Sequence, residues 1–346
     1  VATGGQDGVQ LWNIKSGKAL NLRHGAEVSQ ISFSRDGRLL VVAGGAGVRV
    51  WDTRTGKQVG LEFRHDKDVK FAALSPDGSG LLTGGDDQTG RMWDVGTGEL
   101  VRGDLRHHGM LLGGEFSQYG TRVLTGAADN TARVWGPEPG NPPLLVLHHE
   151  RRLLDAVFGP DGTKILTRME GGSVRIWDVA QADRKVRTIR PSPWLADVRF
   201  NPRRNLMAVV DGYGAITLFR RARRGWTYVA KHPSLGGIQK VFLDSEGKRV
   251  VGVGWDNSLA IRDAGNGEIV AQVPPGPGEC LLAMPSPDGL RIVTVSRDAG
   301  SGDFVFRAFR MEDGKPDGKP FTAKGGAPWL ALSPDCDDER ITTPAH

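Results

Sequence analysis

At 346 residues, 38% of them hydrophobic and 25% charged, the chain has a globular composition, and its 49 glycines and 20 prolines mark many tight turns without the excess typical of disorder. A net charge of +5 with a pI near 9.3 excludes a histone-like or ribosomal balance and favours acidic partners only slightly. Two cysteines, Cys280 and Cys336, without metal-type spacing, point to a reducing, cytoplasmic compartment. No charged stretch leads into an apolar signal-like segment, and no apolar run approaches the roughly 18 residues of a membrane span, so the chain as given is read as soluble and unanchored. It begins at Val1 inside a strand-like pattern, which suggests a piece of a longer protein.

Taken in order, the chain repeats itself. Trp12, Trp51, Trp93, Trp135 and Trp177, then Phe219, Arg262 and Phe309, recur at steps of 39, 42, 42, 42, 42, 43 and 47 residues. A period near 42 without helical periodicity is that of a four-stranded repeat unit. Polar turns lock the register: SRDG ends at Gly37, SPDG at Gly78, SQYG at Gly120 and GPDG at Gly162, with weaker forms at Arg204, Gly247, Gly289 and Cys336. Such turns carry a mechanism, because Pro presets φ and Gly accepts positive φ. Ahead of them, Ile31 with Phe33, Val198 with Phe200, and Val241 with Leu243 keep the spacing of two expected of a half-buried strand. Leu81–Asp94 reads as a hairpin, and the segments Leu144–Leu147 and Trp226–Val229 read as outer strands. The Gly-Gly pairs at Gly44, Gly84 and Gly171 read as hairpin turns, and Ala299–Asp303 as a lengthened one.

These residues resemble the WD40 repeat family: WN at Trp12, WD at Trp51, Trp93 and Trp177, and WG at Trp135, with SPDG-like turns between. The resemblance is specific to about Asp178; beyond it LFR, AIRD and AFR replace the dipeptide. It implies an all-β fold, a β-propeller of four-stranded antiparallel blades forming a single domain over residues 1–346. Eight blades are favoured, one of them composite, with Ala327–Leu332 pairing beside the hairpin of Val1–Trp12 so that no sheet edge is left exposed. Seven blades with partial blades at the ends are the alternative.

The resemblance also implies a buried hydrogen-bonded tetrad in each well-formed blade. Two sets match fully: His65, Thr83, Asp87 and Trp93, and His107, Thr125, Asp129 and Trp135. His24 and His149 repeat the register at steps of 41, 42 and 42. These residue types would otherwise suggest catalysis; their recurrence assigns them to the fold. No GxSxG, P-loop or HExxH motif occurs, His108, His148 and His232 have no partner at metal spacing, and one Asp per turn, such as Asp77 or Asp161, supplies too few oxygens for calcium. No catalytic residue, metal or cofactor is expected.

The family's usual partner face carries the loops after each His. Glu27, Asp68, Met110, Arg152, Trp194 and Glu279 fall there, with Asp86 and Trp255 beside the Asp register, and Asp68, Asp86, Met110, Arg152, Trp194 and Trp255 are the partner-binding candidates. Arg220, Arg221, Arg223 and Arg224, expected in a turn, join Arg203 and Arg204 in a basic patch suited to phosphate or carboxylate groups. The reading favoured is a non-catalytic, monomeric scaffold that binds a protein or peptide and belongs to a larger signalling or regulatory protein. A propeller that binds nucleic acid or acidic polymers is the alternative, and an enzyme with a channel-mouth site ranks third.

Overall fold

The computed structural model describes residues 1–5, 8–13, 19–136, 138–159, 162–180, 187–189, 195–201, 205–222, 225–233, 237–244, 246–254, 258–273, 279–286, 289–298, 300–323 and 329–331. Among them are 32 strands and no helix, hence no helix long and apolar enough to cross a membrane.

The strands form eight four-stranded antiparallel blades. The first joins β1 (Ala2–Gly5), β2 (Gly8–Trp12) and β3 (Ala19–Leu22) to β32 (Trp329–Ala331), from the far end of the chain. Blades two to five are consecutive: β4 (Val28–Phe33), β5 (Leu39–Gly44), β6 (Gly47–Asp52) and β7 (Gln58–Arg64); β8 (Val69–Leu74), β9 (Gly80–Gly85), β10 (Thr89–Asp94) and β11 (Leu100–Arg106); β12 (Leu111–Phe116), β13 (Val123–Ala127), β14 (Thr131–Trp135) and β15 (Leu145–His148); β16 (Leu153–Phe158), β17 (Lys164–Met169), β18 (Ser173–Asp178) and β19 (Arg187–Ile189). Blades six to eight are β20 (Leu195–Phe200), β21 (Leu206–Asp211), β22 (Ile216–Ala222) and β23 (Gly225–His232); β24 (Ile238–Leu243), β25 (Arg249–Gly254), β26 (Leu259–Asp263) and β27 (Ile269–Val273); β28 (Glu279–Pro285), β29 (Arg291–Arg297), β30 (Phe304–Arg310) and β31 (Phe321–Ala323). They belong to two compact units, one holding the first five blades and the other the last three.

The expected composite blade is present: Ala2, Thr3 and Gly4 pair with Ala331, Leu330 and Trp329. The count is therefore eight, not seven with spare ends. The Trp register also survives where the motif fades. Trp51, Trp93 and Trp135 stand opposite Leu40, Leu81 and Val123, and Phe219, Arg262 and Phe309 stand opposite Met207, Val250 and Ile292, in each case at or next to the first residue of the preceding strand.

Each polar turn is built alike. Gly37, Gly78, Gly120, Gly162, Gly247 and Gly289 all have φ between 66° and 75°, the left-handed region that favours glycine. The Ser34, Ser75, Ser117 and Ser286 hydroxyls each accept the backbone N–H five residues on, at 2.8–3.1 Å; Asn201 and Asp244 do the same through a side-chain oxygen. One reading is corrected. The pairs at Gly44 and Gly171 do supply turn residues, Gly45 and Gly171–Gly172, but Gly84 and Gly85 both lie within β9, and Gly84 is needed for close approach: a Cβ there would lie 2.6 Å from the Phe71 ring.

Cores form between neighbouring blades as well as within them. Val48, Val50 and Phe63 of blade two pack with Val69, Ala72 and Leu81 of blade three; in the other unit, Ile216 and Leu218 pack with Ile238, Val241 and Val250.

Candidate functional site

In blade three the four predicted residues form one chain of hydrogen bonds. His65 Nδ1 lies 2.9 Å from Asp87 Oδ2, His65 Nε2 lies 2.7 Å from Thr83 Oγ1, and Trp93 Nε1–H donates to that hydroxyl at 2.8 Å. Blade four repeats it: His107 to Asp129 at 3.2 Å, His107 to Thr125 at 2.8 Å, and Trp135 to Thr125 at 2.8 Å. Every atom is satisfied if Nδ1–H donates to the carboxylate and Nε2 accepts the threonine hydroxyl, that is, with a neutral imidazole. Burial pushes both histidines below their ordinary pKa, His107 to about 4, against the opposing pull of the aspartates. Burial opposes ionisation of Asp87, yet the hydrogen bond from His65, the Thr89 N–H and the Arg91 charge hold its carboxyl below the usual range.

The other blades keep parts of this lock. His149 bonds Thr167 at 2.8 Å and Trp177 donates to the same hydroxyl at 2.8 Å, but no Asp follows, and His149 Nδ1 turns to the Asn130 carbonyl at 3.1 Å. Trp12 donates to Thr3 at 3.0 Å. Blade two has Val42 at the threonine position and Ala46 at the aspartate position, so Trp51 Nε1 and His24 Nδ1, respectively, are buried without a partner. The ring nitrogens of His65 and His107 are thus engaged within the blades they hold together.

A recurrent arginine lies two residues before Trp51, Trp93, Trp135 and Trp177: Arg49, Arg91, Arg133 and Arg175. Arg91 bridges Asp87 at 2.8 Å and Asp66 at 3.0 Å, Arg133 approaches Asp129 at 3.4 Å, and Arg175 pairs with Glu150 at 3.1 Å. Sequence reasoning missed it, although its 42-residue period is plain in the sequence.

The loops that follow the histidines hold equivalent positions in equivalent places. The Asp86 N–H donates to the Asp68 carbonyl at 2.9 Å, Ala128 to Met110 at 2.9 Å, and Glu170 to Arg152 at 2.8 Å. Above this repeated backbone bond the side chains of Asp68, Met110 and Arg152 are exposed, as is Glu27. Asp86 is half-buried and pairs with Lys70 at 3.1 Å; one of its oxygens has no partner. Trp194 and Trp255 lie outside the described residues, as do Arg203, Arg204, Arg223 and Arg224.

Arg220 and Arg221 are exposed but are not in a turn. They continue β22, opposite Thr227 and Trp226. Consecutive residues of a strand project to opposite faces, so these two do not present one patch. Among the described residues no group of three His, Cys, Asp or Glu side chains is placed to hold a metal ion.

Comparison with known proteins places three stretches, 18–52, 57–94 and 102–136, in the family described as WD domain, G-beta repeat. The chain is 33% identical over 82 residues to serine-threonine kinase receptor-associated protein of Dictyostelium discoideum, a match covering 23% of this chain and 27% of that protein. It is 31% identical over 88 residues to human apoptotic protease-activating factor 1, covering 22% of this chain and 7% of that one. The matched stretch thus spans about a quarter or less of these relatives. Among solved structures, the β-propeller domain of Myceliophteria thermophila Cps50 (Swd1) superposes with a TM-score of 0.62 over 83% of this chain and 97% of that one, at 17% identity, which is likeness of fold.

Proposed function

We propose that this WD40-repeat chain is a non-catalytic module that binds a protein or peptide through the loops after its blade histidines, with Asp68, Asp86, Met110 and Arg152 in contact with the partner. The observation that carries the reading is the contrast within each repeat. The buried positions repeat the same hydrogen bonds, while the exposed position above the same backbone bond changes from acidic Asp68 to apolar Met110 to basic Arg152. A frame held constant under a surface of varied chemistry suits recognition. The His, Thr and Asp side chains that acid–base chemistry would need are engaged in the frame. A place inside a larger signalling or regulatory protein accords with the small share of the relatives that the match covers.

The test is affinity capture from native lysate with the tagged chain and with a triple variant, Asp68→Lys, Met110→Asp and Arg152→Glu, quantified by mass spectrometry. These exposed changes should leave the thermal transition in place while the specific partners fall at least about tenfold, as expected when central contacts are lost. Recovery of the same proteins at the same level by both forms would refute the assignment.

A further inference from the structure

One cross-strand position differs between blades in a way that leaves a charge unanswered. In blade seven Arg249, the first residue of β25, stands opposite Asp263, the last of β26, and its guanidinium reaches the carboxylate at 2.8 Å. Lys164 and Asp178, at the corresponding ends of β17 and β18, pair in blade five. In blade three these two positions are Gly80 and Asp94. The carboxylate is kept and the cation is gone. Blade two also lacks the cation, with Leu39 opposite Asp52, but there the leucine packs into the core.

Blade three leaves the place open. A groove of about 470 Å³ lies there, between blades three and four, lined by Gly80, Met92, Asp94, Val101, Phe116 and Tyr119, with Asp77 in the adjoining turn. Met92 and Phe116 belong to the apolar layer packed between the two blades. Tyr119 and Val101 are 74% and 48% exposed. No lysine, arginine or histidine lines it. Each carboxylate spends one oxygen on its own turn: Asp77 Oδ1 accepts the Ser75 hydroxyl at 2.5 Å and the Ser79 N–H at 3.1 Å, and Asp94 Oδ1 accepts the Thr97 N–H at 2.7 Å. Those bonds hold both groups below the ordinary carboxylate range, hence ionised, and among the described residues neither makes an ion pair.

We propose that this groove receives a lysine or arginine side chain of a partner protein, supplying from outside the cation that Lys164 and Arg249 supply from within their own blades. The aliphatic stem lies on Met92, Val101 and Phe116, the charged head meets Asp94 and Asp77, and the exposed ring of Tyr119 covers it. This rests on the interaction-module reading and adds a second contact, at the opposite end of the blades from the histidine loops.

The probe is a fluorescein-labelled hexapeptide with a single arginine between leucines, set against the same peptide with neutral, isosteric citrulline, in polarisation titrations at about 0.15 M salt, where bulk attraction is screened. The arginine peptide should bind at least about tenfold more tightly than the citrulline one. Asp94→Asn with Asp77→Asn, which keep an oxygen for the turn bonds, should erase that difference. Gly80→Arg should place an internal guanidinium on Asp94, raise the melting temperature and abolish peptide binding together. Equal binding of the two peptides, or full binding to a folded Gly80→Arg variant, would overturn the proposal. The loop triple variant should bind the peptide normally, so failure here leaves the partner-capture test unaffected, and the reverse.

Discussion

Val42 shows how much one hydroxyl organises. In blades three, four and five, Thr83, Thr125 and Thr167 accept the indole N–H of Trp93, Trp135 and Trp177 and meet a histidine nitrogen. Val42 occupies the same register, fully buried, and cannot do so. Its neighbour His24 settles for the Gly44 carbonyl at 3.3 Å. A buried hydroxyl is costly only without partners, and here Trp51 Nε1 stands ready. Val42→Thr should therefore stabilise the protein by about 1 kcal/mol, visible as a higher midpoint in thermal unfolding; an unchanged or lower midpoint would show that the Trp51 ring is not placed to donate. The histidine register was legible from its period alone, but whether each lock closes depends on the residue 18 positions on, and that was read only for the two complete sets. The turn expected at Arg220 and Arg221 was misplaced for a local reason: FRRARR looks like a turn, yet the pairing of these two residues carries the strand to Ala222.

At the scale of the element, the first strand of blades two to eight departs from the alternation read in the sequence. The ladder skips a residue near the start of β4, β8, β12, β16, β20, β24 and β28, between Val28 and Gln30, Val69 and Phe71, and so on. Such a bulge re-aims the side chains before it relative to those after it, which is why Val28 and Ile31, three apart, are both buried. A period-two search sees the second half of each strand and misreads the first. These strands are also sheet edges with free N–H groups, and the preceding blade answers some of them: Gln30 Oε1 accepts from Ala72 at 2.7 Å, Asp197 Oδ2 accepts from Val241 at 3.2 Å, and Glu115 accepts from Phe158. Gln30→Ala leaves the buried Ala72 N–H unpaired and should cost about 1–3 kcal/mol, whereas Gln30→Glu, which keeps an acceptor, should cost less. Urea unfolding that also includes Gln30→Met, which keeps the side-chain size without the acceptor, separates this bond from mere loss of packing, which would spare that variant.

For the molecule as a whole, the motif is dense in the first unit and thin in the second, yet the blade is the same, because pairing register and turn chemistry survive the loss of the tryptophan: Arg262 and Phe309 occupy its position without its indole. Buried histidines bind the chain's stability to pH in one direction. Burial lowers the pKa of His24, His65, His107 and His149 in the first unit and of His232 in the second. A histidine neutral in the folded state regains an ordinary pKa near 6.5 on unfolding, so below that value the unfolded chain binds more protons and the folded state loses ground. Stability should be level above about pH 7 and fall as the pH drops from 6.5 towards the folded value of about 4 for His107, a loss on the order of 3 kcal/mol at most from that residue alone. Below that range the loss continues as Asp87 and Asp129, whose carboxyls are held below the ordinary value, take up protons and release their partners. Denaturant unfolding at pH 7, 6 and 5 measures the slope directly. His107→Gln, which keeps a hydrogen-bonding side chain but cannot titrate, should lower stability at pH 7 and flatten the dependence; a slope unaltered by that substitution would mean His107 titrates normally and the tetrad is open to water.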